Sequence, residues 1–412
     1  MTYPTLQERA ARAIAECRRI AAMTEEPGRT TRRFLTPPVR DVHELLRRRM
    51  EAIDFNVSLD AAGNLRGLWQ PRDLRCKRLI IGSHIDTVPD AGALDGVLGV
   101  MLAIELAETA QELRLPLPIE IIAFSEEEGV RFGVPFIGSR AVAGRFDPAL
   151  LALQDASGVT VEAAIRAFGL DPSRISEAAL GDDVAGFFEL HIEQGPVLEA
   201  EDLRVAAVTA VVGQSRLSFE FTGHANHAGT TPMRLRHDAL AAVAEWIGAV
   251  EELARATDGL VATTGKITVV PNAVNVVPGA ATVSLDVRHA EDVTRKSALE
   301  NLVARAETIA VVRGLTVRCT PQMDQAAAPM DEMLTAYLVE AIEAAGLSVK
   351  RMPSGAGHDA MVMATRVPAA MLFLRSPGGI SHHPAENVLV EDVEAALHVG
   401  QEFLKRLAAE LG

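Results

Sequence analysis

The chain reads Leu79-Ile-Ile-Gly-Ser-His-Ile-Asp-Thr-Val-Pro-Asp-Ala-Gly-Ala-Leu-Asp-Gly96 where a short apolar run gives way to a polar loop. The run from Arg78 to Gly82 has the length and composition of a buried strand. An apolar helix is predicted from Val97 to Gln111, and a second buried strand from Ile119 to Phe124. Strand, loop, helix and strand in this order indicate an α/β layer with parallel strands, so the predicted fold class is α/β.

Composition limits what the protein can bind. The chain has 412 residues and a formal net charge of -15 without a visible basic stripe, so we expect no nucleic-acid partner. No apolar run approaches the roughly 20 residues of a membrane helix, so no membrane association is expected. Three sparse cysteines and a start without a basic-then-apolar signal favour a cytoplasmic protein.

A chain of this length usually forms two domains. The segment from Arg216 to Gln322 predicts strand, helix, strand, strand, helix and strand, with Leu260 to Val270 as one continuous strand. This βαββαβ order is typical of ferredoxin-like units. We therefore expect a two-domain protein, with a discontinuous α/β domain of residues 1–211 and 325–412 and an inserted ferredoxin-like domain of residues 212–324.

Five polar positions follow or border predicted strands, where sheets of this class bind ligands. They are His84, Asp95, the segment Ser125-Glu-Glu-Glu-Gly129, His191 and His382. Taken singly, each has a simpler explanation: Asp95 suits a helix cap, and the three glutamates suit a solvated acidic turn. Repetition of the pattern favours a shared metal site.

The chemistry of these side chains suits hard and borderline cations. Histidine nitrogens and carboxylate oxygens are enough to hold two divalent ions that share one carboxylate, and the ions can be zinc, manganese, cobalt or nickel. In the triplet His84-Ile-Asp86, the carboxylate can hold the far ring nitrogen and strengthen the imidazole as a ligand.

The order of motifs resembles one family over nearly the whole chain. The motifs are Gly-Ser-His-Ile-Asp-Thr-Val, Leu-Asp-Gly, Glu-Glu-Glu-Gly-Val-Arg-Phe, Glu-Leu-His-Ile-Glu-Gln-Gly-Pro, His-Ala-Gly-Thr-Thr-Pro-Met, Pro-Asn-Ala-Val-Asn-Val-Val-Pro-Gly, Ser-Gly-Ala-Gly-His-Asp-Ala and Gly-Ile-Ser-His-His-Pro-Ala-Glu. They resemble the amidohydrolase branch of the dinuclear metallopeptidase superfamily that includes aminoacylase and carboxypeptidase G. That branch holds allantoate amidohydrolases, N-carbamoyl-L-amino-acid hydrolases and β-ureidopropionases.

The resemblance implies a metallohydrolase catalytic domain, a dimerisation or lid domain, and two divalent ions per subunit. His84, Asp95 and His191 would hold one ion. Asp95, Glu127 and His382 would hold the other, with Asp95 bridging. Relatives that act as peptidases usually carry a carboxylate where His191 stands.

The resemblance also implies the acid–base and substrate-binding groups. Glu126 would be the general base, Asp86 would orient His84, and His227 from the partner subunit of a homodimer would stabilise the oxyanion, with His224 as the alternative. Arg288 would clamp a substrate carboxylate, although by itself it reads as a surface arginine at a strand end. The other implied substrate contacts are Gln194, Gln214, Asn275, Gly357 and His358.

These expectations define a substrate class, a small ureido compound that bears a carboxylate. Allantoate is favoured by the opening segment Glu26 to Leu35, with N-carbamoyl-L-amino acids and β-ureidopropionate as alternatives. A dinuclear peptidase or deacylase is disfavoured by His191. A non-catalytic metal-binding scaffold is disfavoured by the intact glutamates.

Overall fold

The computed structural model describes residues 3–71 and 76–411 of the chain. It has a mixed α/β fold that divides into two compact units. The large unit comprises Met1–Thr209 and Pro329–Gly412, and the small unit comprises Ala210–Ala328. Among the described residues, no helix combines the length and apolar character that crossing a bilayer requires.

The strands are labelled in chain order. They are β1 Asn56–Leu59, β2 Leu65–Trp69, β3 Arg78–His84, β4 Ile119–Phe124, β5 Val184–Ile192, β6 Val205–Val211, β7 Gly213–Thr222, β8 Asn226–His227, β9 Val261–Thr263, β10 Ile267–Val270, β11 Val276–Val277, β12 Ala280–His289, β13 Thr316–Gln325, β14 Ala328–Pro329, β15 Arg351–Ser354 and β16 Ala369–Leu374.

The helices are labelled in the same way. They are α1 Leu6–Ala21, α2 Pro37–Glu51, α3 Val97–Glu112, α4 Ile137–Val142, α5 Val161–Ala167, α6 Val197–Ala200, α7 Ala239–Ala256, α8 Asp292–Val312, α9 Glu332–Ala344, α10 Asp359–Met363 and α11 Val390–Leu411.

The large unit is built on a sheet with a parallel centre. Strands β4, β3, β5 and β16 are neighbours in that order and run in the same direction. Every residue of β4 and β16 is buried, which explains their uninterrupted apolar sequences. Because the four carboxyl ends lie on one edge, the residues that follow them come together. The predicted parallel α/β layer is confirmed.

Helix α3 begins directly behind this edge. Its sequence is apolar on nearly all sides, and most of its residues are buried. Gly96 precedes it with φ 66°, and a Cβ at this position would lie 2.5 Å from the His84 ring. Glycine is therefore required both by the backbone conformation and by the close approach of the imidazole.

Helices α1 and α3 are joined by a buried ionic cluster. Glu105 has no exposed surface, and its carboxylate accepts from Arg12 Nε at 2.8 Å. Arg9, 1% exposed, lies 3.3 Å from Glu105 and 2.9 Å from Glu108. Arg49 of α2 adds a contact at 3.3 Å. Three helices are thus fixed to one another by charge as well as by apolar contact.

The small unit has its own sheet and core. Its strands order as β10-β12-β7-β13 and all pair antiparallel, with β9 also on β12. Residues of β12 alternate between buried and half-buried, because α7 and α8 cover one face. Trp246 is fully buried there and packs on Phe219 with a centroid separation of 4.4 Å.

Candidate metal centre

Two buried histidines present the same nitrogen to the centre of the site. His84 is the last residue of β3, and its Nδ1 lies 3.1 Å from the main-chain oxygen of Asp86. His191, near the end of β5, has its Nδ1 2.9 Å from the oxygen of Ile192. Because Nδ1–H donates to a carbonyl, Nε2 of each ring carries the free lone pair that a metal requires.

Asp95 is where these nitrogens converge. Its Oδ1 lies 3.2 Å from His191 Nε2 and 3.7 Å from His84 Nε2. Its Oδ2 lies 3.2 Å from His382 Nε2. One carboxylate therefore faces two histidines with one oxygen and a third with the other, which is the arrangement of a bridging ligand.

The acidic triplet enters the site in a register that differs from the prediction. Glu128 Oε1 lies 3.4 Å from His382 Nε2, and Glu128 forms a group with Asp95 and His382 whose ligand atoms lie within 4.8 Å of one another. The family resemblance implies Glu127 in this place. Glu127 instead groups with His84 and Glu128. Glu126, which we had expected to be the base, belongs to none of the ligand groups among the described residues.

The reason for this register is a turn held by Asp86. Its Oδ1 accepts from the N–H of Glu127 at 2.9 Å and its Oδ2 from the N–H of Glu128 at 3.1 Å. The chain bends after β4, so Glu127 and Glu128 reach the site while the Glu126 carboxylate is buried without a hydrogen-bond partner. Asp86 also lies 3.5 Å from His84 Nδ1 through Oδ1, a longer contact than the one from its main chain.

Carboxylates and imidazoles of the site shift one another's pKa values. Burial alone would raise the pKa of Asp95, yet the imidazoles of His191 and His382, each 3.2 Å from its carboxylate, hold it well below its usual value. Burial would lower the pKa of His84, but Asp86 and Glu127 raise it well above the ordinary value. Contacts with Asp95 and Glu128 raise the pKa of His382 to about 10. The raised pKa values of the two imidazoles show that nearby carboxylates favour positive charge at these positions, as they would favour a bound cation.

These residues fit a divalent cation. Asp95 Oδ1 and His191 Nε2 are both buried with no hydrogen-bond partner, an arrangement that is costly unless another group satisfies them. The donor set is nitrogen and oxygen, within the range that zinc, manganese, cobalt and nickel accept.

The other predicted residues of the large unit surround this group. Gln194 Nε2 donates to Asp95 Oδ2 at 3.0 Å, and its backbone is left-handed with φ 58°. A Cβ on Gly357 would stand 3.8 Å from Glu127 Oε1. The buried ring of His358 lies 4.5 Å from that of His191 and contacts Ser354 Oγ at 2.8 Å.

The predicted residues of the small unit form two separate groups within it. Gln214 and Arg288 are paired across β7 and β12, and both donate to Asp286, at 2.9 Å and 2.8 Å. Although burial would raise it, bonds from Arg288, Arg216 and Gln214 lower the pKa of Asp286 to about 2. Asp286 thus holds the Arg288 guanidinium in place.

His227 and Asn275 form the second group. His227 pairs with Val276 between β8 and β11, and Asn275 accepts through its main-chain oxygen from Ala228. Gly229 N–H donates to His227 Nδ1 at 3.1 Å. The proton of the neutral ring therefore resides on Nε2, which is left as a donor. His224 is also exposed, as is His227.

Sequence interpretation missed two supporting residues, Glu386 and Glu189. Glu386 accepts from the N–H groups of Leu94 and Asp95 at 2.8 and 3.0 Å, and so fixes the segment that carries the bridging carboxylate. Glu189 is fully buried between Ser83 Oγ and the N–H of Ala360. Glu386 stands in the same motif as His382, and Glu189 lies two residues before His191. An acidic residue this close in sequence to a predicted ligand is the feature from which both could have been predicted.

Comparison with known proteins supplies the family. The sequence model of peptidase family M20/M25/M40 matches residues 80–408. The chain is 38% identical to the N-carbamoyl-L-amino acid amidohydrolase of Geobacillus stearothermophilus over 386 residues, 92% of this chain and 94% of that protein. It is 36% identical to the allantoate deiminase of Arabidopsis thaliana over 95% of this chain and 81% of that protein.

A solved structure agrees over nearly the full length. The crystal structure of a hydantoinase/carbamoylase family amidase from Burkholderia ambifaria superposes with a TM-score of 0.89 at 33% sequence identity. The superposition covers 98% of each chain.

Proposed function

The chain belongs to peptidase family M20/M25/M40, in its branch of allantoate and N-carbamoyl-amino-acid amidohydrolases, and on this premise we propose that it hydrolyses the ureido C–N bond of a linear, carboxylate-bearing substrate. As a member of that branch it is an amidohydrolase. The observation that carries the proposal is the convergence of three histidine Nε2 atoms on the two oxygens of Asp95.

We propose that these residues hold two divalent ions per subunit. His84, Asp95 and His191 would bind one, and Asp95, Glu128 and His382 the other, which the two ligand groups support. When bound, such a pair would polarise the scissile carbonyl and lower the pKa of a water molecule. Gln194 and Ser381, both within 3.2 Å of Asp95 Oδ2, would keep the bridging carboxylate oriented.

Glu127 is our proposed general base. It takes the proton of the attacking water and returns it to the departing nitrogen. Its carboxylate groups with His84 and Glu128, whereas Glu126 lies outside the ligand groups, and this difference favours Glu127 over the residue that the sequence had suggested. Asp86 would act as a positioning residue, because it fixes the N–H groups of both Glu127 and Glu128.

Substrate recognition is assigned to both units. Arg288 would clamp the substrate carboxylate with its planar fork, and Gln214, Asn275, Gly357 and His358 would complete the contacts. His227 Nε2–H would donate to the developing oxyanion. The tautomer imposed by Gly229 supports this role, since it leaves the proton on the exposed nitrogen.

Allantoate and an N-carbamoyl-L-amino acid are the two candidate substrates. The names of the relatives support both, at 36% and 38% identity. The direct test is ammonia release from allantoate, N-carbamoyl-L-amino acids and N-carbamoyl-β-alanine by protein loaded with zinc, manganese, cobalt or nickel. N-acetyl amino acids and dipeptides are the comparison, and their hydrolysis is followed by the amino acids released. Asp95→Asn is the inactive control. Hydrolysis of the dipeptides together with no hydrolysis of any of the ureido substrates would refute the proposal.

We also propose a homodimer formed through the small unit, which would act as a dimerisation or lid domain in a cytoplasmic enzyme. Strand β10 lies at the edge of its sheet, and Ile267 and Val270 on it are 48% and 56% exposed. An apolar sheet edge of this kind suits pairing with a second copy. Sedimentation velocity should give a dimer for the native chain and a monomer for Ile267→Lys. Val293→Lys, on the exposed side of α8, is the matched control and should leave the dimer intact.

A further inference from the structure

Arg32 is a buried cation that lies behind the loop between His84 and Asp95. It has no exposed surface, and its guanidinium donates to main-chain carbonyls. Nε reaches the oxygen of Ile85 at 2.7 Å, and Nη1 reaches the oxygens of Ile20 and Met23 at 3.1 Å each. Burying a charged side chain raises the free energy of the folded state, and here the compensating hydrogen bonds all go to main-chain oxygens instead of to a carboxylate.

The main chain of Arg32 is tied to the same loop. Its N–H donates to Thr87 Oγ1 at 2.9 Å, and its carbonyl accepts from the N–H of Thr87 at 2.9 Å. The preceding residues continue the contact, because Thr31 Oγ1 accepts from the N–H of Asp90 and Thr30 forms a bridge with Ala91. The segment Thr30–Arg32 therefore runs along the loop from Ile85 to Ala91.

This loop separates two ligands of the centre. Ile85 stands between His84 and Asp86, so the bond from Arg32 Nε fixes the peptide that positions both side chains. Burial lowers the pKa of Arg32 to about 10, although the negative charge of Asp86 opposes this effect. The side chain therefore remains a cation at neutral pH. Arg32 thus combines a directional bond to the loop with a permanent positive charge behind Asp86.

We propose that Arg32 is a positioning residue of the metal centre, which fixes the main chain from Ile85 to Thr87 through its guanidinium and its own peptide groups together. This inference rests on the proposed function, in which His84 is a metal ligand. It also gives the opening segment, which the sequence had associated with the choice of allantoate, a different role, because that segment braces the metal-binding loop. Groups that orient a ligand from behind typically change metal affinity by about 10- to 100-fold when removed.

The test uses the full-length enzyme and measures metal affinity by competition with a chromophoric chelator. Arg32→Lys keeps the charge but lacks the fork that reaches Ile85 and Ile20 in different directions. We expect its affinity for Zn²⁺ to fall about 10-fold, and that of Arg32→Gln to fall further. The visible spectrum of the Co²⁺-loaded variants should shift, because it reports ligand geometry. Arg33→Gln is the matched control, since Arg33 is 42% exposed and pairs with Glu25.

The outcomes separate this inference from the proposed function. If Arg32→Lys and Arg32→Gln melt at lower temperature but bind Zn²⁺ like the native protein, Arg32 is only a packing residue and the inference is wrong. If the native protein itself binds no divalent ion, the proposed function fails first. Should both variants be insoluble, Thr87→Val decides, because it removes only the acceptor of the Arg32 N–H; a several-fold loss of affinity is expected, and unchanged affinity overturns the inference.

Discussion

Asp95 contacts more of the polar side chains of the site than its neighbours do. Three histidines, Gln194 and Ser381 all contact its carboxylate, while Glu386 holds its N–H. A residue with so many partners tolerates little movement, and the glycine that follows it is the only residue type that leaves room for the His84 ring. At this scale the geometry is fixed by close contacts that substitutions can test one at a time.

The three adjacent glutamates offer the sharpest test. Glu127→Gln should keep its metal content but lose at least about 100-fold in kcat, because the proton acceptor is gone. Glu128→Gln should lose metal, because it removes a ligand oxygen beside His382. Glu126→Gln should retain both metal and turnover. Metal analysis and steady-state kinetics on the three variants check this, and an inactive Glu126→Gln beside an active Glu127→Gln would restore the order inferred from the sequence.

His43 predicts a pH dependence that is independent of the metal centre. The ring is 5% exposed with neither nitrogen hydrogen-bonded, and burial lowers its pKa to about 3 from an ordinary 6.5. The unfolded chain takes up a proton below 6.5 that the folded chain refuses, so stability is complete above that pH and is lost as the pH falls.

The measurement is urea unfolding of the native chain and of His43→Leu at about pH 7 and about pH 5. The native chain should lose about 2 kcal/mol more than the variant between these values, since each pH unit of one-proton uptake corresponds to about 1.4 kcal/mol. An equal loss in both proteins would mean that His43 is protonated in the folded state.

The register of the glutamates shows what sequence can supply at the residue scale. The positions of His84, Asp95, His191 and His382 were readable, because each follows or borders a predicted strand and lies in a polar loop. Three identical residues in a row contain no signal for which of them faces the site. The turn that decides it depends on Asp86, which lies 41 residues before Glu127 in the chain and accepts hydrogen bonds from the N–H groups of Glu127 and Glu128.

At the scale of elements, long apolar segments predicted helices and strands correctly, whereas a break within a strand could not be predicted. The helix predicted from Val97 to Gln111 is confirmed as α3. The single strand predicted from Leu260 to Val270 is wrong, because β9 and β10 are separated at residues 264–266. There the N–H of Lys266 donates to Ser284 Oγ at 2.9 Å, so a side chain replaces the ladder partner. The apolar pattern of this segment does not indicate that a side chain takes the place of a main-chain hydrogen-bond partner.

The ionic cluster between α1 and α3 predicts a large effect on stability. Glu105→Ala should lower the free energy of unfolding by about 3 kcal/mol, because it leaves Arg9 and Arg12 with one carboxylate fewer in a buried setting. Chemical denaturation measures it. The exposed pair Arg48–Glu44 of α2 is the control, and Glu44→Ala should change stability by no more than about 0.5 kcal/mol. Equal effects from both variants would mean that burial adds nothing to the cluster.

At the scale of the whole molecule, metal binding should be linked to folding. The site gathers acids that repel one another when no cation is bound, and Asp95 Oδ1 is buried without a hydrogen bond. Removal of divalent ions with a chelator should abolish turnover and lower the melting temperature by about 5 °C, and both should return when metal is restored. Calorimetry with and without chelator checks this. Asp95→Asn should melt at one temperature in both conditions; coincident curves for the native chain would contradict the linkage.

The two places where the chain passes between the units lie next to each other in the large unit. The small unit leaves the large one after Thr209 and returns at Pro329, and the N–H of Met330 donates to the oxygen of Thr209 at 2.9 Å. The ends of the two segments of the large unit are thus hydrogen-bonded neighbours, close enough for a short turn to join them in a deletion variant that lacks the small unit. All the proposed metal ligands would remain in such a deletion, whereas His227 and Arg288 would be gone. On the proposed assignments the metal ligands lie in one unit and His227 and Arg288 in the other, so changes in the small unit would alter these two contacts and leave the metal ligands in place.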